Sequence, residues 1–233
     1  MSDSSWTPVP RRRVYLMRHG DVSYFDDAGN PVQPDTVALN ERGRGQVESC
    51  AQELAVIPVD RLVSSDLPRC VETAKILAAN WRLEVEPQSA LREIQPGRLA
   101  DLPPDGIEHA FLGAFGAGLD RNTRFLGGET VGSLIDRVLP CWQRLLSDPG
   151  WRHLLVVAHG GVNRAILTHV LKSGVPGFGV LEQDPCCLNI VDVLDDGRCL
   201  VRLLNHTPYD GPKANLIWTF METVYAEYRR RGR

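Results

Sequence analysis

Two short apolar runs constrain this chain more than any other feature. Val14-Tyr15-Leu16-Met17 leads straight into Arg18-His19-Gly20, and Leu154-Leu155-Val156-Val157 leads through Ala158 into His159-Gly160-Gly161. Apolar runs this short and unbroken read as strands buried on both faces. Such strands belong to α/β architectures, where helices cover both sides of a mostly parallel sheet. The residues just past them stand at the carboxyl edge of the sheet, the usual place for a ligand. Arg18, His19 and His159 are therefore expected on one rim, with Gly20 allowing a sharp turn beside them. Taken alone, each Arg-His or His-Gly pair is also compatible with a strand that ends in hydrogen-bonded or solvated side chains.

The rest of the chain fits that frame. Asp21 to Ala38 is rich in Asp, Gly and Pro and reads as a loop beside the cleft. Asn40 is placed to cap a helix whose apolar stripe is Val47, Cys50, Ala51, Leu54 and Ala55. Arg61 to Ser65 reads as a strand, followed by a helix capped by Ser65 or Asp66 with Pro68 in its first turn. Arg69 lies in that first turn, off the buried stripe, and so joins the rim. Leu83 to Val85 reads as a further strand, followed by a segment carrying Glu93. From residue 96 to 128 regular pattern fades, apart from a short helical candidate over Ile107 to Phe115, and the stretch reads as a cap over the cleft. Gly127-Gly128-Glu129-Thr130 opens a helix to about Leu146. Leu188 to Leu194 and Cys199 to Leu204 read as a hairpin around Asp195-Asp196-Gly197. Lys213 to Tyr228 reads as a closing helix with Leu216, Ile217, Phe220 and Val224 inward, before a solvated basic tail from Arg229.

Composition narrows the function classes. A chain of 233 residues is long enough for one domain with a large core, here taken as residues 1–233 with a frayed tail over 1–10. A net charge of −3 gives no broad electrostatic case for nucleic acid or an anionic membrane. No run is long enough to cross a bilayer, and the polar start of the chain has no apolar signal core. The six cysteines form no Cys-x-x-Cys pair and mostly lie in apolar segments, which points to reduced thiols in a cytoplasmic protein.

On the rim, two guanidiniums offer forked donors that match phosphate oxygens, and Gly160 and Gly161 open a helix whose first amides favour an anion. A neutral imidazole has a free lone pair on one nitrogen when the other is held by a carbonyl, so His19 in its tight turn is the candidate nucleophile. His159 is then an electrostatic partner for the phosphoryl oxygens. A leaving alkoxide needs a proton, for which Glu93 is the leading candidate. Arg98, His109, Arg121 and Arg124 could reach a second acidic group on the substrate, although each alone reads as a surface residue. His153, His169 and His206 are given no role.

These residues together resemble the histidine phosphatase superfamily, the phosphoglycerate-mutase-like proteins. Leu16-Met17-Arg18-His19-Gly20 is similar to its signature, and Leu39-Asn40-Glu41-Arg42-Gly43-Arg44-Gly45-Gln46 to its Leu-(Thr/Asn)-x-x-Gly-x-x-Gln helix start. Ser64-Ser65-Asp66-Leu67-Pro68-Arg69 resembles its second-arginine segment, and Leu91-Arg92-Glu93 the segment with the acid. Gly127-Gly128-Glu129-Thr130 resembles its Gly-Gly-Glu-Ser motif, and Ala158-His159-Gly160-Gly161 its second-histidine segment. The resemblance implies a three-layer α/β/α sandwich with a mostly parallel central sheet. It also implies a metal-free, cofactor-free mechanism through phosphohistidine. Arg18, Arg69, His159 and Gly160 would then bind phosphate, with His19 as nucleophile and Glu93 as proton donor.

Three positions depart from the family pattern. Phe25 stands where an asparagine is common, six residues after the nucleophile. Ile94-Gln95-Pro96-Gly97-Arg98-Leu99-Ala100 replaces the usual Phe-Gly-x-Trp-(Glu)-Gly after the acid. The loop from Asp21 to Ala38 does not match the cofactor-dependent mutases. The expected function is thus a phosphatase of small phosphorylated metabolites. The alternatives are a phosphoglycerate-type phosphomutase, or a low-turnover phospholigand-binding module on the same fold.

Overall fold

The computed structural model describes residues 11–26, 28–116 and 118–231. The strands are β1 (Arg12–Arg18), β2 (Arg61–Ser64), β3 (Glu86–Pro87), β4 (His153–Ala158), β5 (Leu188–Val193) and β6 (Cys199–His206). They form one sheet in the order β3-β2-β4-β1-β5-β6. The first four in that order are parallel, and β5 runs against β1 and β6. The helices are α1 (Glu41–Leu54), α2 (Pro68–Ala78), α3 (Ile107–Leu112), α4 (Val131–Ser147), α5 (Gly160–Val170) and α6 (Phe220–Arg231).

Side-chain alternation along the two central strands builds the layers. Tyr15 and Met17 of β1, with Leu155 and Val157 of β4, pack into the core under α1 and α2. Val14, Leu16, Leu154 and Val156 face the other way, into the core under α4 and α5. The chain passes from β1 through α1 to β2 and leaves a gap that β4 fills later, a switch point of the kind that opens a crevice at the carboxyl edge. A third, smaller cluster joins α3 to α6 through Phe111, Ala114, Leu126 and Met221. Among the described residues, no helix is long and apolar enough to cross a membrane.

The start of α1 shows why its sequence is what it is. Asn40 caps it by accepting from the Gly43 amide at 2.7 Å. The Gln46 carboxamide oxygen accepts from the Asp21 amide at 2.9 Å, tying α1 to the chain just past His19. Gly43 lies against that same backbone, and a β-carbon on it would stand 2.1 Å from the Asp21 carbonyl oxygen.

Several expectations shift. The strand expected over Leu83 to Val85 forms at Glu86–Pro87, where the backbone pairs with Val63 and Ser64. Neither Ser65 nor Asp66 occupies the cap position of α2, which falls on Leu67; the Ser65 hydroxyl accepts from the Leu67 amide at 3.4 Å and meets His159 Nε2 at 2.9 Å. The short cap helix ends at Leu112, and α4 begins at Val131 behind a Thr130 cap rather than at the glycines.

The last helix does not begin at Lys213. Asp210 gathers the amides of Ala214 and Asn215 into a turn, and Ile217 is exposed rather than inward. Thr219 and Glu222 then exchange side chain-to-amide bonds at 3.2 and 2.7 Å, a capping box that starts α6. The expected frayed tail over 1–10 lies outside the described residues, as do 232 and 233.

Two glycines in α1 give opposite expected outcomes. Gly43→Ala forces a methyl into the Asp21 backbone and should destabilise the fold by about 2 kcal/mol. Gly45→Ala meets nothing within 4 Å and should stabilise it by about 0.5–1 kcal/mol. Urea unfolding midpoints of the two variants, read against the native chain, check both signs.

Candidate active site

The register of the two central strands brings the histidines together. Arg18 lies opposite Ala158, and the His19 amide donates to the Ala158 carbonyl at 3.0 Å. His19 and His159 therefore leave adjacent strand ends at the same level, with ring centroids 5.1 Å apart and edges to faces. The next strand over, β2, ends level with them, and Ser65 reaches His159 Nε2 at 2.9 Å.

The state of His19 is fixed from both sides. Its Nδ1 donates to the Gly20 carbonyl at 2.7 Å, so that nitrogen carries the proton. Its Nε2 accepts from Arg69 Nε at 3.1 Å, so that nitrogen presents a lone pair. Burial, then Arg69 and Arg18, push its pKa well below 6.5. Burial first, and then Arg69, do the same to His159. Both rings are therefore neutral at pH 7. Behind His159, the Cys70 thiol donates to the Ala158 carbonyl at 3.3 Å, and burial raises it to about 12, so it is no nucleophile.

The two arginines are the unusual feature. Arg18 is 3 % exposed and Arg69 2 %, beside His19 at 1 % and His159 at 0 %. Among the described residues neither arginine forms an ion pair. Arg18 gives Nη1 to the Gln183 carbonyl at 2.6 Å, and its buried Nε has no partner. Arg69 gives Nη1 to the Pro34 carbonyl at 2.6 Å, and its Nε goes to His19. Removing a cation from water without a counter-charge costs several kcal/mol. Two such cations around a free imidazole lone pair favour an anion between them.

Glu93 completes the rim. Both of its carboxylate oxygens accept from the Gly161 amide at 3.1 Å, and one also accepts from its own neighbour Ile94 at 2.9 Å. Its carboxylate thus occupies the N-terminus of α5, where the charge is favoured by the helix dipole. Gly161 permits this approach, since a β-carbon there would stand 2.5 Å from Glu93 Oε1. Gly160 lies between the cationic and acidic groups: a β-carbon on it would stand 3.7 Å from Arg18 Nε and 3.8 Å from a Glu93 oxygen.

The altered segment after the acid is well braced. Ile94 is core, and Arg137 of α4 donates to the carbonyls of Ala90 and Arg92 at 2.9 and 2.8 Å. Arg137 also pairs with Glu129, whose carboxylate accepts from the Gln95 amide at 2.9 Å.

The structure brings together Arg18, His19, Arg69, Glu93, His159 and Gly160. It does not bring the cap residues in. Arg98 faces solvent near Asp101, Arg121 pairs with Asp136, and Arg124 donates to the Gly128 carbonyl. His109 is exposed on α3. Phe25, in the position of the family's asparagine, is buried with its ring 6.1 Å from that of Tyr228 of α6.

Sequence reading missed Ser65 as a partner of His159, and it missed the bracing by Gln183 and Arg137. Ser65 carried a signal, since it ends a strand that neighbours the second histidine run. Gln183 carried none: its carboxamide ties Asn163 to Asn189 across segments distant in the chain.

Residues 14–207 match the family model of the histidine phosphatase superfamily (branch 1). The chain is 30% identical over 209 residues to 2-carboxy-D-arabinitol-1-phosphatase of Triticum aestivum, covering 84% of this chain and 41% of that protein. It is 32% identical to phosphoglycerate mutase-like protein 4 of Arabidopsis thaliana, covering 78% of this chain and 85% of that one. Among solved structures it is similar to mycobacterial glucosyl-3-phosphoglycerate phosphatase in complex with inorganic phosphate, with a TM-score of 0.69 and 25% identity over 84% of this chain and 98% of that one. The chain spans about two fifths of the length of the first two curated relatives, 41% and 43%.

The buried neutral histidines make stability depend on pH. Folded, both resist protonation well below 6.5; unfolded, both protonate near 6.5, so the unfolded chain binds more protons as pH falls through that value. Stability in phosphate-free buffer should therefore drop below pH 6.5, by about 1.4 kcal/mol per pH unit for each ring. Denaturant titrations of the native chain and His159→Asn between pH 5 and 7.5 check this. The variant should show the shallower slope.

Proposed function

The chain belongs to the histidine phosphatase superfamily, and on that footing we propose that it is a phosphomonoesterase acting on small phosphorylated metabolites through a phosphohistidine on His19. The observation that carries this reading is the pair of buried guanidiniums without ion-pair partners, set around an imidazole with one nitrogen held as a donor and the other free.

The ester's phosphoryl group sits between Arg18, Arg69 and His159, its equatorial oxygens taking donors such as the unpartnered Arg18 Nε. Its negative charge offsets the desolvation that holds His159 neutral, so His159 takes a proton from solvent, donates a hydrogen bond to the phosphoryl group, and gives the proton back when phosphate leaves. Arg69 Nε moves its hydrogen bond from His19 Nε2 to a phosphoryl oxygen. The Nε2 lone pair then forms a bond to phosphorus as the phosphorus–oxygen bond to the leaving group breaks. Glu93 takes up a proton from solvent as the ester binds, and the leaving oxygen takes that proton from it. In the second half, water donates a proton to the Glu93 carboxylate and attacks phosphorus. The phosphorus–nitrogen bond breaks, phosphate leaves and the Nε2 lone pair is restored.

A phosphomutase is the second reading, favoured by the mutase-like relative; there the product alcohol, not water, would accept the phosphoryl group. All six cysteines are unpaired thiols, and the sulfurs of Cys50 and Cys186 lie 3.3 Å apart without a bond. That supports a reducing compartment such as the cytoplasm.

Phosphate release from an aryl phosphate, with chelator and without added bisphosphoglycerate, is the first test. Native protein should release phosphate, and His19→Ala should lose about a thousandfold or more of the rate. Transfer without net phosphate release would favour the mutase.

Glu93→Gln should slow alkyl esters by about 10²–10⁴-fold and aryl esters far less, since an aryl oxide leaves with little protonation. Gly161→Ala, which drives a methyl into Glu93 Oε1, should reproduce that leaving-group signature with His19 untouched.

A further inference from the structure

The C-terminal helix lies beyond the residues that match the family model, yet it reaches the arginine next to the nucleophile. Phe220, the first residue of α6, stacks its ring on the Arg18 guanidinium, with Cζ 3.7 Å from the ring centroid. Tyr24, from the loop after β1, meets Phe220 edge to face with centroids 6.0 Å apart.

The placement of Phe220 is held on both sides in the chain. Before it, Lys213 pairs with the buried Asp184 at 2.7 Å, next to the Gln183 carbonyl that takes Arg18 Nη1. At the helix start the Thr219–Glu222 capping box fixes the entry angle. After it, Tyr225 and Tyr228 stack on Phe111 of the cap, and the Tyr225 hydroxyl donates to Glu108 at 2.8 Å.

We propose that Phe220 is a positioning residue for phosphate binding and that α6 is the roof of the active site. The inference rests on the reading of Arg18 as a phosphate ligand. A guanidinium binds phosphate through N–H groups in its plane and stacks on aromatic rings through its face. Phe220 takes the face. The Gln183 carbonyl takes one in-plane donor. The buried Nε, which has no partner, remains for the ligand. The ring thus keeps water off the cation, restricts its rotation and leaves open the direction from which a phosphoryl oxygen approaches.

This assigns a role to a helix that forms a small core of its own with the cap. It also gives Phe25 a reason: an apolar side chain there docks against Tyr228 of the roof.

Binding of inorganic phosphate, measured by titration calorimetry, tests the inference without requiring turnover. Phe220→Ala should weaken phosphate binding about tenfold, because the freed guanidinium must be reordered and stripped of water before it meets the anion. Phe220→Tyr should bind as the native chain does. Phe220→Leu, which keeps the apolar bulk and removes the π face, should stay weak, so the Tyr and Leu pair decides the question even if the Ala variant folds poorly. With an ester substrate, KM should rise in step while kcat holds.

Leu binding as well as Phe would overturn the proposal by showing that bulk alone matters. An Ala variant that binds phosphate as well or more tightly would overturn it by making the ring filler or a plug. Failure of the hydrolytic reading shows differently: native protein would bind phosphate and leave esters uncleaved, with the Phe220 series still ranked as stated.

Discussion

Two guanidiniums buried without a carboxylate partner are the constraint around which this structure is arranged. Arg18 and Arg69 are almost wholly removed from solvent, and each is held by carbonyls rather than by negative charge. A buried cation without a counter-charge is costly, and an anion relieves that cost. The neutral state of both histidines follows from it, since burial and the two arginines oppose a third positive charge. A neutral His19 with its proton fixed on Nδ1 is what nucleophilic attack on a phosphoryl group requires.

The sheet supplies the precision. Parallel pairing of β1 with β4 sets the two histidines at one level, and the end of β2 brings Ser65 and the first turn of α2 beside them. The contacts that hold these ends in place come from residues with no chemical role. Gly43 and Gln46 of α1 pack and bond to the backbone after His19, and Arg137 with Glu129 grips the segment that carries Glu93. Glu93 is placed by the N-terminus of α5, so the same helix that follows the second histidine also orients that carboxylate.

The cap is assembled from two parts of the chain. Residues 96–128 supply α3 and several turns, and the C-terminal helix supplies the apolar face that α3 packs on. Of the basic groups of the 96–128 segment singled out from sequence, Arg121 and Arg124 are engaged on its surface and Arg98 and His109 face solvent. The roof over Arg18 is aromatic instead, built from Phe220 and Tyr24.

The sequence by itself determined the layers and the chemical core. Unbroken apolar runs can only be satisfied between two helical layers, and the residues after them must fall on the carboxyl edge. That reasoning reached Arg18, His19, Arg69 and His159 and named Glu93 as the candidate acid, and the resemblance to a known family assigned the same residues the same roles. Local signals were also present where they were passed over, as in the Thr219–Glu222 capping box that starts α6. Only the tertiary structure decided that Ser65 turns to His159 instead of capping α2, that Gln183 and Arg137 brace the site, and that Phe220 covers Arg18. These contacts join segments far apart in the chain. No periodicity, cap or turn rule acts over such separations, so they become visible only when packing has fixed which surfaces meet.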